Sequence, residues 1–141
     1  MSIYQIERIE GRVMAVNTFL VLGPDGLVVV DGMLTVSDAA RVRLAIDDTG
    51  LPVAGVVVTH PHPDHYAGLA HLVDADDVAI VATSAVDAII RRDDQLKEEV
   101  VGPMMGDEWP SRRGFPNRNI DDGDDVRLGG LTLWGRELGH A

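Results

Sequence analysis

The chain contains no cysteine. Disulfide staples and thiolate metal ligands are therefore excluded, and any transition ion must be held by imidazole nitrogen and carboxylate oxygen. No apolar run approaches the roughly 18 residues needed to cross a bilayer. The first ten residues, Met1 to Glu10, alternate polar and apolar side chains and lack the basic-then-apolar pattern of an export signal. Positive charge is scarce: 12 Lys and Arg stand against 23 Asp and Glu, a net charge of −11. That balance repels phosphate backbones and anionic lipid surfaces, so neither nucleic acid nor a membrane is an expected partner. Internal repeats and low-complexity tracts are missing too. Together these absences predict a soluble, cytoplasmic protein. Its 141 residues suit a single domain that buries about two-thirds of its unfolded surface.

The first third of the chain reads as a β-meander. Tyr4 to Ile9 alternates at period two, and Val13 to Leu22 is rich in β-branched residues. Gly23-Pro24-Asp25-Gly26 is a turn, because proline presets φ and glycine permits positive φ. Leu27 to Val30 returns as an apolar strand ending at Asp31-Gly32. From Val36 the period lengthens, and Val36, Ala39, Ala40, Leu44 and Ala45 fall on one helical face with Ser37 as candidate N-cap. Gly50 and Pro52 close that helix. Val53 to Thr59 is a continuous apolar strand of the kind buried on both faces of a layered sheet.

Tyr66 to Val73 predicts a short helix capped by Asp64, Val78 to Ala82 another buried strand, and Ala85 to Val101 a helix. Asp93-Asp94 and Glu98-Glu99 read as its hydrated face, and His71 as a surface histidine. Gly102 to Asn119, with three prolines, three glycines and Trp109, reads as a long loop. Trp109 and Phe115 either line a pocket or pack over the core. Asp121 to Asp125 lacks the alternating acidic pattern of a calcium loop and reads as a solvated turn. Val126 to Leu128 and Leu131 to Leu138 form a hairpin about Gly129-Gly130. The succession of strands and helices implies an α/β layered architecture, in which ligands sit beyond the carboxyl ends of strands.

The chemistry concentrates in His60-Pro61-His62-Pro63-Asp64-His65, at the exit of the Val53–Thr59 strand. His60, His62 and Asp64 are spaced by two, so an extended backbone turns them broadly to one side. Each proline pushes the preceding histidine towards an extended conformation and fixes its own φ. The loop is thus stiff in advance, and a stiff loop loses less entropy when it takes an ion. Neutral imidazole with carboxylate suits zinc, with iron or manganese as alternatives.

Thr59-His60-Pro61-His62-Pro63-Asp64-His65-Tyr66-Ala67-Gly68 resembles the H-x-H-x-D-H signature of the metallo-β-lactamase superfamily. Asn17 to Val21 and Leu27 to Gly32 resemble that family's opening strands and Asp-Gly turn, and Glu137-Leu138-Gly139-His140-Ala141 its third-histidine segment. The resemblance implies an αβ/βα layered sandwich, of which residues 1–141 supply about the first half. It implies one or two zinc ions, with His60, His62 and His140 forming the first metal site and Asp64 with His65 beginning the second. Asp64 would orient the attacking water, and Asp31 would support the site. The implied activity is hydrolysis of a small-molecule ester, thioester, lactone, amide or phosphoester by metal-activated water. Family members continue past the third histidine, so an uncovered apolar face is expected here, closed by homodimerisation. The rival reading is a non-catalytic, truncated metal-binding module; nuclease activity is disfavoured by the acidic charge.

Overall fold

In the computed structural model, which describes residues 4–137, β1 (Gln5–Glu10), β2 (Asn17–Gly23) and β3 (Gly26–Val30) form an antiparallel meander. Helix α1 (Val36–Thr49) crosses over to β4 (Val53–Val57). Two four-residue helices follow, α2 (Pro63–Tyr66) and α3 (Leu69–Leu72), then β5 (Ile80–Thr83) and the long α4 (Ser84–Met105). A 3-10 turn at Gly106–Glu108 leads to β6 (Arg118–Ile120), and β7 (Asp125–Leu128) with β8 (Leu131–Trp134) ends the described chain. The first six strands make one sheet in sequence order, antiparallel through β3 and parallel from β3 to β6.

That sheet is a middle layer. Period-two alternation sends Leu27 and Val29 to one face and Val28 to the other. On the first face Val56, Val58 and Ile80 pack with Val42 and Ile46 of α1 and Leu72 of α3. On the second, Val28 and Val81 pack with Val126 and Leu128 of the β7–β8 hairpin. The hairpin turns at Gly129 and Gly130, with φ of 61° and 80°, the pair of left-handed residues that a two-residue hairpin turn demands. The apolar continuity of Val53–Thr59 follows from this double burial.

Several local expectations are corrected. The helix α1 is capped by Thr35, whose hydroxyl accepts the Asp38 N–H at 3.1 Å, and not by Ser37, which already lies inside the first turn. Its buried face holds Asp38, Ala39, Val42 and Ile46, while Ala40 and Leu44 face solvent. The carboxylate of Asp38 decides the rotation: it accepts the backbone N–H groups of Arg12, Val13 and Met14 and draws its side of the helix inward. The same bonds hold residues 11–16 in a bend, so β2 begins only at Asn17.

Asp64 does not cap the helix after the histidine loop. It lies within α2, whose N-cap position is His62. The stretch Gly102–Asn119 is only partly a loop. Helix α4 runs on through Gly102 and Pro103, and the Trp109 ring lies over Gly102. At the far end β6 joins the sheet, and the Asn117 side chain accepts the Ile80 N–H at 2.8 Å. Asp94 is not on a hydrated face: it is buried. His71 is half-buried, with its Nε2 turned inward and without a hydrogen-bond partner among the described residues.

Candidate metal centre

Parallel pairing of β3 with β4 brings the carboxyl ends of two strands side by side, closed by the Asp31 N–H donating to the Val57 carbonyl at 2.8 Å. Asp31 leaves β3 with φ of 65° and Met33 follows with 66°. Left-handed conformations are costly for side chains other than glycine and collect at functional sites. The turn is then locked onto the histidine segment. The Gly32 N–H donates to the His65 carbonyl at 2.7 Å, and the Gly68 N–H to the Met33 carbonyl at 3.0 Å. A Cβ on Gly32 would lie 2.5 Å from the Leu69 side chain, and one on Gly68 would collide with the Gly32 carbonyl.

The buried carboxylate of Asp31 organises what surrounds it. Its Oδ1 accepts the Thr59 N–H at 2.8 Å, and its Oδ2 accepts the Thr59 hydroxyl at 2.6 Å. Oδ2 also lies 2.8 Å from Nδ1 of His65. The Thr59 oxygen stands 2.7 Å from Nδ1 of His60. These contacts fix the tautomers. A carboxylate only accepts, so His65 carries its proton on Nδ1. The one hydroxyl proton of Thr59 is committed to Asp31, so the His60 Nδ1 must donate as well. Both neutral rings therefore hold their lone pair on Nε2. The two rings stack with centroids 4.3 Å apart.

Burial works against charge on His65, but the hydrogen bond to Asp31 and the charges of Asp31 and Asp64 outweigh it and hold the pKa above its ordinary value. Among the described residues, Asp31, His60 and His65 are the group whose donor atoms lie close enough to share an ion, all within 4.8 Å of one another. With both Asp31 oxygens already accepting protons, its chemistry suits orienting the imidazoles better than ligating. Carboxylate-oriented imidazoles are the usual outer arrangement of a bound metal. Together with the lack of thiolate, the donor set fits a zinc-like divalent ion.

The remaining predicted residues are less gathered. Asp64, half-buried, has Oδ1 3.6 Å from Nε2 of His65. His62 is exposed at the start of α2, in the extended conformation its proline favours (φ −81°, ψ 149°), and is not part of the cluster. His140 lies outside the described residues. Thr59 was not foreseen; a hydroxyl immediately before the first histidine was the available signal. Beside His60 runs a groove of about 680 Å³, walled by Pro61, Val86, Ile89, Ile120 and Trp134. Trp109 packs on Leu34 and Ala67, and Phe115 packs against the main core, so both serve packing.

Residues 11–141 match the family model described as the metallo-beta-lactamase superfamily. The chain belongs to that superfamily. A search of curated proteins finds no match. Among solved structures, the MIM-2 metallo-beta-lactamase is similar with 26% identity and a TM-score of 0.62, over 86% of this chain and 45% of that one. A beta-lactamase domain protein from Burkholderia ambifaria has 22% identity and a TM-score of 0.60, over 93% of this chain and 46% of that one. The sec-alkylsulfatase Pisa1 from Pseudomonas sp. has 21% identity and a TM-score of 0.61, over 83% and 24%. The superfamily chain thus spans between about a quarter and about half the length of these structures. The mixed sheet with helices on one face and a second, small sheet on the other is the expected α/β layering. Among the described residues no helix is long and apolar enough to cross a membrane.

Proposed function

We propose that this chain carries the metal-binding part of a zinc-dependent hydrolase acting in the cytoplasm on a small-molecule ester, thioester, lactone or amide. The observation that carries the reading is the buried carboxylate of Asp31, which sets the tautomer of His60 by way of Thr59 and that of His65 by its own contact. Two imidazoles with Nε2 lone pairs, on a loop stiffened by Pro61 and Pro63, are pre-arranged donors. His62 and His140 complete the first site with His60. Asp64 and His65 begin a second, for one or two ions in all, with iron or manganese as alternatives to zinc. A divalent ion bound there supplies Lewis acidity and brings the pKa of water down towards about 7. The protein's own share is orientation. The Asp64 carboxylate would accept a hydrogen bond from the water and so orient it towards the scissile group. The groove beside His60 takes the apolar part of the substrate and excludes bulk water.

Zinc per chain is measured after chelation and reloading, with hydrolysis followed on a panel of esters, thioesters, lactones and β-lactams. Activity abolished by chelator, restored by zinc and lost in His60→Ala is the expected result. Absence of zinc uptake would overturn the proposal.

A second reading is supported by the two-stranded β7–β8 sheet, whose Trp134 is 61% exposed. It is a metal-binding module without turnover, completed by a second copy that covers the hairpin. It predicts zinc uptake with no hydrolysis across the panel.

A further inference from the structure

Helix α4 carries a buried carboxylate that the metal centre does not use. Asp94 Oδ1 accepts the Tyr66 hydroxyl at 2.7 Å and the Arg113 Nε–H at 2.7 Å, and Oδ2 accepts the Arg113 Nη2–H at 2.8 Å. The remaining guanidinium nitrogen of Arg113 reaches Glu98 at 3.2 Å and the Pro110 carbonyl at 3.0 Å. Its guanidinium carbon lies 5.2 Å from the centre of the Trp109 ring, which rests on Ala67 and Leu34. Tyr66 is the last residue of α2 and directly follows His65.

A helix of four residues cannot hold itself, because its nucleation cost is never recovered. Helix α2 is instead strung between two carboxylates. On the sheet side Asp31 holds His65, and on the α4 side Asp94 holds Tyr66. We infer that Asp94, clamped by Arg113, is a positioning residue for the metal loop: by gripping the Tyr66 hydroxyl it fixes the rotation of α2 and hence the direction in which Asp64 and His65 face. Stability alone is a poor reason for the arrangement, since a buried ion pair seldom outdoes apolar residues of the same volume, whereas directional bonds specify a geometry. The Asp94 carboxylate only accepts, so the Tyr66 hydroxyl is the donor in this contact. The metal half of this inference rests on the function proposed above; the geometric half does not.

The test compares Tyr66→Phe and Asp94→Asn with the parent, and with Ile46→Ala as a core truncation in α1 that touches neither tether. Amide hydrogen exchange is read in the metal-free protein at Gly32 and Ala67, whose N–H groups bond to the carbonyls of His65 and Pro63, and at Val56 and Val58 in the sheet. Zinc affinity is read by chelator competition. In Tyr66→Phe, exchange at Gly32 and Ala67 quickens while Val56 and Val58 keep their rates, and zinc binds about tenfold more weakly, as for loss of other outer groups around metals. Asp94→Asn moves both readouts the same way. In Ile46→Ala the thermal midpoint falls with no selective change at Gly32 and Ala67. Unchanged exchange at these two amides in Tyr66→Phe, or a change equal to that of Ile46→Ala, overturns the inference. A parent protein that takes up no zinc would refute the proposed function, and the exchange result would still decide the positioning role.

Discussion

One carboxylate, Asp31, serves two imidazoles, so replacing it disturbs both rings at once. Asp31→Ala is expected to weaken zinc binding by about 10- to 100-fold, read by competition against a chelator of known affinity. Asp38 is a second buried acid with a different task. Burial alone would raise its pKa, but the N–H groups of Arg12, Met14 and Val13 and the Thr35 hydroxyl more than offset this and hold it below the ordinary value. A carboxylate whose folded pKa is depressed contributes stability above its unfolded value of 3.8, and that contribution is lost as pH falls through the folded pKa. Asp38→Asn should therefore cost about 1–3 kcal/mol at neutral pH and flatten the acid limb of stability against pH in urea titrations. At this scale the histidine loop was legible because its spacing is local. The partners were not: Asp31 meets His65 across 34 residues and Arg113 meets Asp94 across 19, distances over which periodicity says nothing.

Elements were legible where apolar runs are long. The strands β3 and β4 fall almost where the pattern puts them, since both are buried on two faces. The helix α1 shows what pattern misses. It offers two apolar stripes, and a polar side chain, Asp38, chooses between them. Thr35 begins that helix, and Thr35→Ala is expected to lower stability by about 1 kcal/mol, measured as a shift in the urea midpoint at constant slope. Strand β6 escaped notice because it is three mostly polar residues, recruited by backbone pairing and by Asn117. At the loop, Gly68→Ala forces a side chain into the Gly32 carbonyl. Loss of cooperative thermal unfolding, or a zinc affinity reduced more than in Asp31→Ala, is the expected reading for that variant.

For the whole molecule, the layered class follows from the alternation of strand and helix patterns, but the division of the two sheets does not, since among the described residues β7 and β8 pair only with each other. Under the second-copy reading, Trp134→Glu is expected to shift sedimentation from dimer to monomer without loss of secondary structure. The main sheet changes character at β3: antiparallel before it, parallel after it. Asp31 exits the last meander strand, whereas His60 and His65 follow the first crossover. The imidazoles therefore take their fixed tautomers only where the meander and the crossover meet, because Asp31 and Thr59 come from opposite sides of that seam. A zinc finger is folded by its ion from a disordered peptide; here the orienting contacts belong to the finished fold, so the metal-free protein is expected to melt cooperatively before any ion is added.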